Sequence, residues 1–378
     1  MRTSRRYVGV LLLAAAGWLA AACGGEEGKH GTECPDPGAL ERCACADNTV
    51  GTMTCADDGY WSACDCSTPF QTGTGGVAGA TVDAAGGTVP GSGGVPPLGV
   101  GGMDGGGDSG GGGATGGPCT VGAWPAADPA VTGPFATVTE ENVGPTSSAD
   151  GTQFTLFRPA DLEQSGLCHP IVTWGNGTSS TPDFYAIFLS HLASHGFVVI
   201  ASNSGNVQQG NPPPMLLGVT WLLEQNEDPG SEMYRRLDPG HVGATGHSQG
   251  GYGTSEVGTD SHIHTTAPIC GAIGSANLTG PALILCGGED PYVPCSEHPQ
   301  GAFDGTSNVP VMLANRHGAD HANWITMFGD SLSDIEVATT AWMRVHLMGD
   351  DDLRSWFYGA SCALCQDGDW TVQRKQMD

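Results

Sequence analysis

Apolar runs of four to six residues alternate with stretches of helical periodicity through the last two thirds of this 378-residue chain. Such alternation predicts a mostly parallel central sheet with helices on both of its faces, the α/β fold class. The predicted strands are 154–158, 170–174, 197–202, 242–245, 265–270, 282–286 and 309–314. The predicted helices are 183–194, 215–225 and 331–347, with another after residue 250. One domain over 119–378 would accommodate all of them.

The first 22 residues have a different pattern. Three arginines precede an uncharged run from residue 7 to residue 22, which is typical of a secretory signal peptide. The run is short for a membrane span, which needs about 20 apolar residues. Its end, Leu-Ala-Ala-Ala-Cys at 19–23, resembles a bacterial lipoprotein signal in which Cys23 is acylated. The alternative is a plain signal peptide beside an incidental cysteine.

Residues 23–66 and 67–118 contain few large apolar side chains. The first segment holds six cysteines at 34, 43, 45, 55, 64 and 66, and in an exported chain these predict a small module held by disulfides. A zinc site is the weaker alternative, because the cluster contains no histidine and its C-x-C spacing is unusual for zinc. In the second segment 21 of 52 residues are glycine, which predicts a flexible linker.

Charge narrows the possible partners. Removal of residues 1–22 leaves 10 basic against 40 acidic residues, a formal charge of −30. Nucleic acid and anionic membrane surfaces repel such a chain, so we expect no nucleic-acid partner and membrane contact only through the lipid anchor. We expect a monomer at the surface or outer membrane of a Gram-negative bacterium, or otherwise a secreted protein.

One short motif follows the predicted strand 242–245. Gly246-His247-Ser248-Gln249-Gly250 is a G-x-S-x-G sequence, which between a strand and a helix holds a serine at the apex of a sharp turn. Ser248 is therefore the candidate nucleophile, and the N–H of Gln249 is a candidate oxyanion donor. Because 61 of the 378 residues are glycine, a chance glycine-rich turn is the competing interpretation.

Two later strand ends supply the remaining residue types of a Ser-His-Asp triad. One predicted strand leads into Glu289 and Asp290, and the last leads into His317 and His321. An α/β-hydrolase carries its triad in the chain order Ser…Asp…His, with the acid and the histidine after later strands. This agreement argues against a chance turn. Asp290 is preferred to Glu289, because neighbouring side chains at a strand end point in opposite directions.

The predicted catalytic domain holds seven cysteines, an odd number, so at least one is free or pairs outside the domain. Cys286 and Cys295 bracket Asp290 and can close a disulfide around it. Cys270, at the end of the neighbouring predicted strand, competes for Cys286. The pattern suggests no metal site and no cofactor.

Residues 120–365 resemble the bacterial cutinase and polyester-hydrolase branch of the α/β-hydrolases, which includes poly(ethylene terephthalate) hydrolases. The resemblance rests on HPIV at 169–172, LASHGFVVI at 192–200, GHSQGG at 246–251, ED at 289–290 and AWMR at 341–344. It implies that His321 rather than His317 is the base. It also implies that Thr178 is the second oxyanion donor, with Asn176 or Gly177 as alternatives.

Two departures from the family pattern concern the substrate. The family usually has an aromatic residue where Thr178 stands, and a tryptophan shortly after the predicted strand 265–270, where this chain has Ala272 and Ile273. These aromatics form a clamp for an aromatic polyester unit. The resemblance therefore implies a surface-anchored serine ester hydrolase that forms an acyl-enzyme. The alternatives are a small-molecule esterase or lipase-like hydrolase, and a non-catalytic adhesion lipoprotein on a hydrolase scaffold.

Overall fold

A computed structural model describes residues 40–44, 50–57, 60, 62, 118–329 and 331–378. The chain divides into two compact units, Met1–Ala85 and Gly86–Asp378. The predicted signal peptide, Cys23 and almost all of the predicted linker lie outside the described residues. Within the described ranges, none of the helices is both long enough and apolar enough to cross a membrane.

The first unit contains a two-stranded antiparallel hairpin of β1 (Leu40–Ala44) and β2 (Val50–Thr54). Sequence patterning did not predict this hairpin. Cys55 follows β2 directly, is buried and is disulfide-bonded. Its oxidised state agrees with the predicted disulfide-held module.

The second unit is built on one nine-stranded, mostly parallel sheet, as predicted. In spatial order the strands run β11-β10-β9-β8-β7-β5-β6-β4-β3, and only the pairs that involve β3, β4 or β11 are antiparallel. The strands are β3 (Thr137–Val143), β4 (Phe154–Pro159), β5 (His169–Gly175), β6 (Val198–Ser202), β7 (Leu237–His247), β8 (Thr265–Ile269), β9 (Ala282–Gly287), β10 (Val311–Arg316) and β11 (Trp370–Lys375).

Helices connect the strands and cover the sheet. They are α1 (Ala186–Ser194), α2 (Pro214–Glu227), α3 (Gln249–Val257), α4 (His298–Gly305), α5 (Asp334–Met343) and the single turn α6 (Ala363–Gln366). A 3₁₀ turn, Pro182–Tyr185, precedes α1, and a π turn, Arg344–Met348, follows α5. The predicted helices 183–194 and 331–347 are therefore each divided into two kinds of helical turn.

Alternation along the buried strands separates the core into distinct clusters. In β9, Leu283 and Leu285 pack with α1 and α5 on one face of the sheet. Ala282, Ile284 and Cys286 of the same strand pack with α4 on the other face. Successive side chains of a strand point to opposite faces, so one fully apolar run supplies both cores.

In the second unit, the strands β3 and β11, the helix α4 and the single turn α6 were not predicted. The two strands lie at the edges of the sheet, where each has one paired side, and both have mixed exposed and buried positions. Such strands need little apolar sequence, so their patterns resemble loops. The prediction that the strand before the histidine loop is the last strand was therefore wrong, because β11 follows it and pairs with β10.

The disulfides resolve the open question of Cys286. Cys119 pairs with Cys168, Cys286 with Cys295, and Cys362 with Cys365. Of the cysteines in the described part of the chain, Cys270 is the free one. Cys270 belongs to the core on the α1 and α5 face, whereas Cys286 packs on the α4 face. The sheet lies between them, which explains why Cys270 does not take Cys286.

Candidate active site

Ser248 occupies the turn between β7 and α3 with a positive φ of 54° and a ψ of −114°. A non-glycine residue rarely adopts such a backbone conformation, and where it does so the surrounding structure enforces it. The enforcement here comes from close packing of α3 on β5. A Cβ atom on Gly250 would overlap the carbonyl oxygen of Gly175, so the helix can approach the strand only because residue 250 is glycine.

Three side chains from different strand ends meet at this turn. Nε2 of His321 lies 2.9 Å from the Ser248 hydroxyl oxygen, and Nδ1 of His321 lies 2.7 Å from Oδ2 of Asp290. The carboxylate accepts, so Nδ1 carries the imidazole proton and Nε2 can accept the hydroxyl hydrogen of Ser248. The His321 side chain is 17% exposed and that of Asp290 is 0% exposed. This arrangement suits transfer of a proton from the serine to the histidine.

Main-chain contacts hold the carboxylate of Asp290. Its Oδ1 accepts from the N–H groups of Tyr292 and Val293, each at 2.8 Å, which leaves Oδ2 for His321. The neighbouring Glu289 is exposed. The Cys286–Cys295 disulfide closes the loop that contains Asp290.

His321 lies in the loop after β10, and its position depends on the rest of that loop. The Trp324 indole donates to the His321 carbonyl oxygen at 3.1 Å. Farther along, the buried carboxylate of Glu336 on α5 accepts from the N–H of Thr326 at 3.0 Å, and burial raises the pKa of Glu336. His317 is exposed and contacts the Thr371 hydroxyl at 2.7 Å, which directs it toward β11 rather than toward Ser248.

The predicted oxyanion donors belong to the first turn of α3 and to the loop after β5. Gln249 is the first residue of α3, and an N–H in the first turn of a helix has no acceptor within that helix. Thr178 is exposed three residues beyond Gly175, which pairs with Gly246 in the sheet. The N–H of Gly177 donates to the Tyr185 hydroxyl at 3.2 Å, so Thr178 remains the better candidate of the two. The Asn176 side chain is buried and bonds Ser202 and Trp174.

Several side chains around the site were not identified from the sequence. Tyr292 is 78% exposed, and the centroid of its ring lies 5.4 Å from that of the His321 ring. Ile273, which the sequence had already placed near the position of the family's tryptophan, is 50% exposed. Tyr292 could have been noticed as an aromatic residue two positions after the candidate acid. Tyr185 could not, because it is 62 residues from its partner His247.

One group of donors has the composition of a metal site. A sulfur of Cys270, a carboxylate oxygen of Asp290 and a ring nitrogen of His321 lie within 4.8 Å of one another. Burial raises the pKa of the Cys270 thiol well above its ordinary value, so this residue stays a neutral thiol rather than a thiolate ligand. Asp290 and His321 already bond each other. The chemistry of this group therefore fits an acid–base pair better than a metal centre.

The nine-stranded sheet, together with a serine at a strained strand-to-helix turn, defines an α/β-hydrolase. A model of the PET hydrolase-like family matches residues 117–372, more than half of the chain. The chain belongs to this family, which places it among the hydrolases that act on esters. A search of curated proteins found no match to the sequence.

Proposed function

We propose that the protein is a serine carboxylic ester hydrolase with Ser248 as nucleophile, His321 as general base and acid, and Asp290 as the residue that orients His321. One observation carries the proposal: the continuous contact from Ser248 through His321 to Asp290, at 2.9 Å and 2.7 Å. An adhesion protein on a degenerate scaffold would have no need to keep these three side chains aligned.

The proposed reaction has two stages. The Ser248 oxygen attacks the ester carbonyl carbon while its proton moves to Nε2 of His321, and the carbonyl oxygen becomes an oxyanion facing the N–H groups of Gln249 and Thr178. Collapse breaks the bond to the leaving alcohol, which takes the proton from His321. A water molecule then gives a proton to His321, attacks the acyl-enzyme and releases the acid and Ser248.

Two classes of ester are candidates for the substrate of this site. Family membership favours a cutinase-like enzyme that can act on polyesters. The residue at 178 favours a small-molecule or lipase-like esterase, because threonine lacks the flat ring that would stack on an aromatic polyester unit. We propose that the site hydrolyses esters, whichever of the two classes supplies its natural substrate. Rates on soluble esters and on insoluble polyester films would show whether it also degrades polyesters.

The anchor is a separate proposal, motivated by the sequence around Cys23. Two or more acyl chains on this cysteine would hold the protein firmly to a membrane, since burial contributes about 0.8 kcal/mol per CH₂. We expect the full-length protein to fractionate with membranes and Cys23→Ser to be released to the periplasm or medium. A native protein that is freely soluble, with an unmodified N-terminus beyond Cys23, would contradict the anchor and leave the hydrolase proposal unaffected.

The decisive test of catalysis is Ser248→Ala, assayed with short p-nitrophenyl esters. Loss of a triad member costs about 10⁴- to 10⁶-fold in kcat, so nearly all activity should disappear while the melting temperature changes little. Ser255→Ala is the matched control, because this buried serine of the same helix bonds only main-chain groups, Gly251 and Ile273. The mechanism is wrong if Ser248→Ala turns over substrate at a near-native rate.

A further inference from the structure

A chain of three hydrogen bonds, two of them buried and the third partly buried, joins the loop after β5 to the loop that carries His321. The N–H of Gly177 contacts the Tyr185 hydroxyl at 3.2 Å, and that hydroxyl lies 2.9 Å from Nδ1 of His247. Nε2 of the same histidine lies 2.8 Å from the main-chain carbonyl oxygen of His321. Tyr185 is 1% exposed and His247 is 5% exposed, so solvent has little access to these bonds.

The direction of every bond in this chain follows from its ends. A carbonyl oxygen only accepts, so Nε2 of His247 must carry the ring proton and Nδ1 must be an acceptor. The Tyr185 hydroxyl therefore donates to Nδ1, which leaves its oxygen lone pairs for the N–H of Gly177. Burial lowers the pKa of His247 to about 3, so the neutral ring that this pattern requires persists at ordinary pH.

At one end the chain fixes the loop that leads to the proposed oxyanion donor. Gly177 directly precedes Thr178, and its N–H is taken by Tyr185. A Cβ atom on Gly177 would lie 3.1 Å from both the Tyr185 hydroxyl and Nδ1 of His247, closer than such contacts ordinarily come. The absence of a side chain at 177 is thus what lets this loop rest on the Tyr185–His247 pair.

At the other end the chain holds the peptide of the base. The His321 carbonyl oxygen receives two ring N–H groups, from His247 at 2.8 Å and from Trp324 at 3.1 Å. Both of its lone pairs are therefore used. The His247 and His321 ring centroids are 4.8 Å apart, and the Trp324 ring lies 5.2 Å from that of His247. The backbone of His321 consequently has little freedom to rotate away from Ser248.

His247 also directly precedes Ser248 in the amino-acid sequence. We propose that Tyr185 and His247 are positioning residues that hold the Thr178 amide and the His321 ring in register with the Ser248 hydroxyl. This inference rests on the proposed function of the triad and adds two residues to it, neither of which contacts the reacting atoms. One imidazole ring thereby connects the nucleophile, the base and the oxyanion loop.

The expected consequence is a loss in kcat rather than in substrate binding. Removal of the Tyr185 hydroxyl leaves the Gly177 N–H and Nδ1 of His247 buried without partners, and both loops can then shift. Small displacements of catalytic groups can cost up to about 100-fold in rate. We expect Tyr185→Phe to lower kcat by about tenfold or more, within that range, and to leave KM within about twofold.

Tyr358→Phe is the matched control for this measurement. Tyr358 is also buried, its hydroxyl lies 3.3 Å from Nε2 of His346, and it contacts no residue of the candidate site. Both variants remove one oxygen from a buried Tyr–His pair, so they share any general cost in stability. In the full-length protein, kcat and KM on p-nitrophenyl acetate, the melting temperature and the inhibition constant for phenylboronic acid would be measured for each.

The boronic acid separates positioning from simple loss of folded protein. A tetrahedral boronate on Ser248 needs the same oxyanion donors as the transition state, so Tyr185→Phe should raise its inhibition constant by about the same factor as kcat falls. Partial unfolding would lower the rate and leave the inhibition constant unchanged. The inference is overturned if Tyr185→Phe keeps the kcat of Tyr358→Phe, or if only KM changes.

Variants of His247 provide a second test of this hydrogen-bond chain, and the single variants do not depend on the folding of Tyr185→Phe. Gln keeps an N–H donor near the position of Nε2, and Asn keeps an acceptor near that of Nδ1. Each breaks one link, so both should lower kcat, and Tyr185→Phe added to His247→Gln should cost less than in the native protein, because that link is already lost. Native kcat in both single variants would overturn the inference, and so would full additivity in the double variant. Full activity of Ser248→Ala would instead overturn the proposed function.

Discussion

The two ends of the sheet both bury histidines and charged groups, but they use them differently. At the amino ends of the strands, Arg344 and Asp350 form an ion pair at 2.8 Å with side chains 2% and 1% exposed. His195 completes this cluster, with Nδ1 3.3 Å from the Arg344 guanidinium and Nε2 3.0 Å from the Val131 carbonyl oxygen. At the carboxyl ends, the candidate triad leaves part of His321 exposed beside Ser248.

The two regions differ in the groups to which the two ring nitrogens of the histidine are bonded. In the cluster of Arg344, Asp350 and His195, both histidine nitrogens have protein partners, and burial lowers the pKa of His195 to about 3. His321 has one nitrogen bonded to a buried carboxylate and the other facing a hydroxyl that a substrate can reach. A fully bonded neutral histidine stabilises the fold, whereas one with an open contact can exchange a proton.

The largest effect should come from replacing the histidine at each end of the sheet by alanine and comparing the two variants. We expect His321→Ala to lower kcat by about 10⁴-fold or more, since the base is lost. His195→Ala should lower the melting temperature and leave the kcat of folded protein near native. His317→Ala, in the same loop as His321, should have a mild effect. Catalytic collapse in His317→Ala with a mild loss in His321→Ala would reverse the assignment of the base.

A smaller effect is expected from the buried ion pair. Asp350→Asn leaves Arg344 without its anionic partner, and breaking a buried pair costs about 3–5 kcal/mol in unfolding free energy. Urea denaturation measures this loss, and ester hydrolysis by the folded variant should be unchanged. The double variant Arg344→Met with Asp350→Leu is the control, because removal of both charges should cost less than removal of one. Equal losses would show that packing rather than charge dominates.

The smallest effect concerns the acid dependence of stability. The pKa of His195 is about 3 in the folded protein against an ordinary 6.5, so between these values only the unfolded chain takes up this proton. Unfolding free energy therefore falls as pH falls through this window, by up to about 1.4 kcal/mol per pH unit for one histidine. His195→Gln keeps a donor for Val131 and should reduce this slope by that amount. An unchanged slope in denaturation from pH 6 to pH 4 would contradict the assignment.

Local patterns were sufficient where the structure depends on local sterics or on a fully buried strand. The G-x-S-x-G motif predicted the turn at Ser248 because the approach of α3 to β5 excludes any side chain at Gly250. Apolar runs located the central strands, since these are buried on both faces. The edge strand β11, with its alternating exposed positions, could not be told from a loop.

The sequence by itself determined the α/β class, the order of Ser248, Asp290 and His321, and the strand ends that carry them, because these depend on short-range pattern and chain order. Only the tertiary structure decided which candidates meet. It separated Cys270 from Cys286 by the sheet, turned His317 toward β11, and joined Tyr185 to His247 across 62 residues. The physical reason is that such contacts depend on strand register and on the face to which each side chain points, and both emerge only when the whole sheet is assembled.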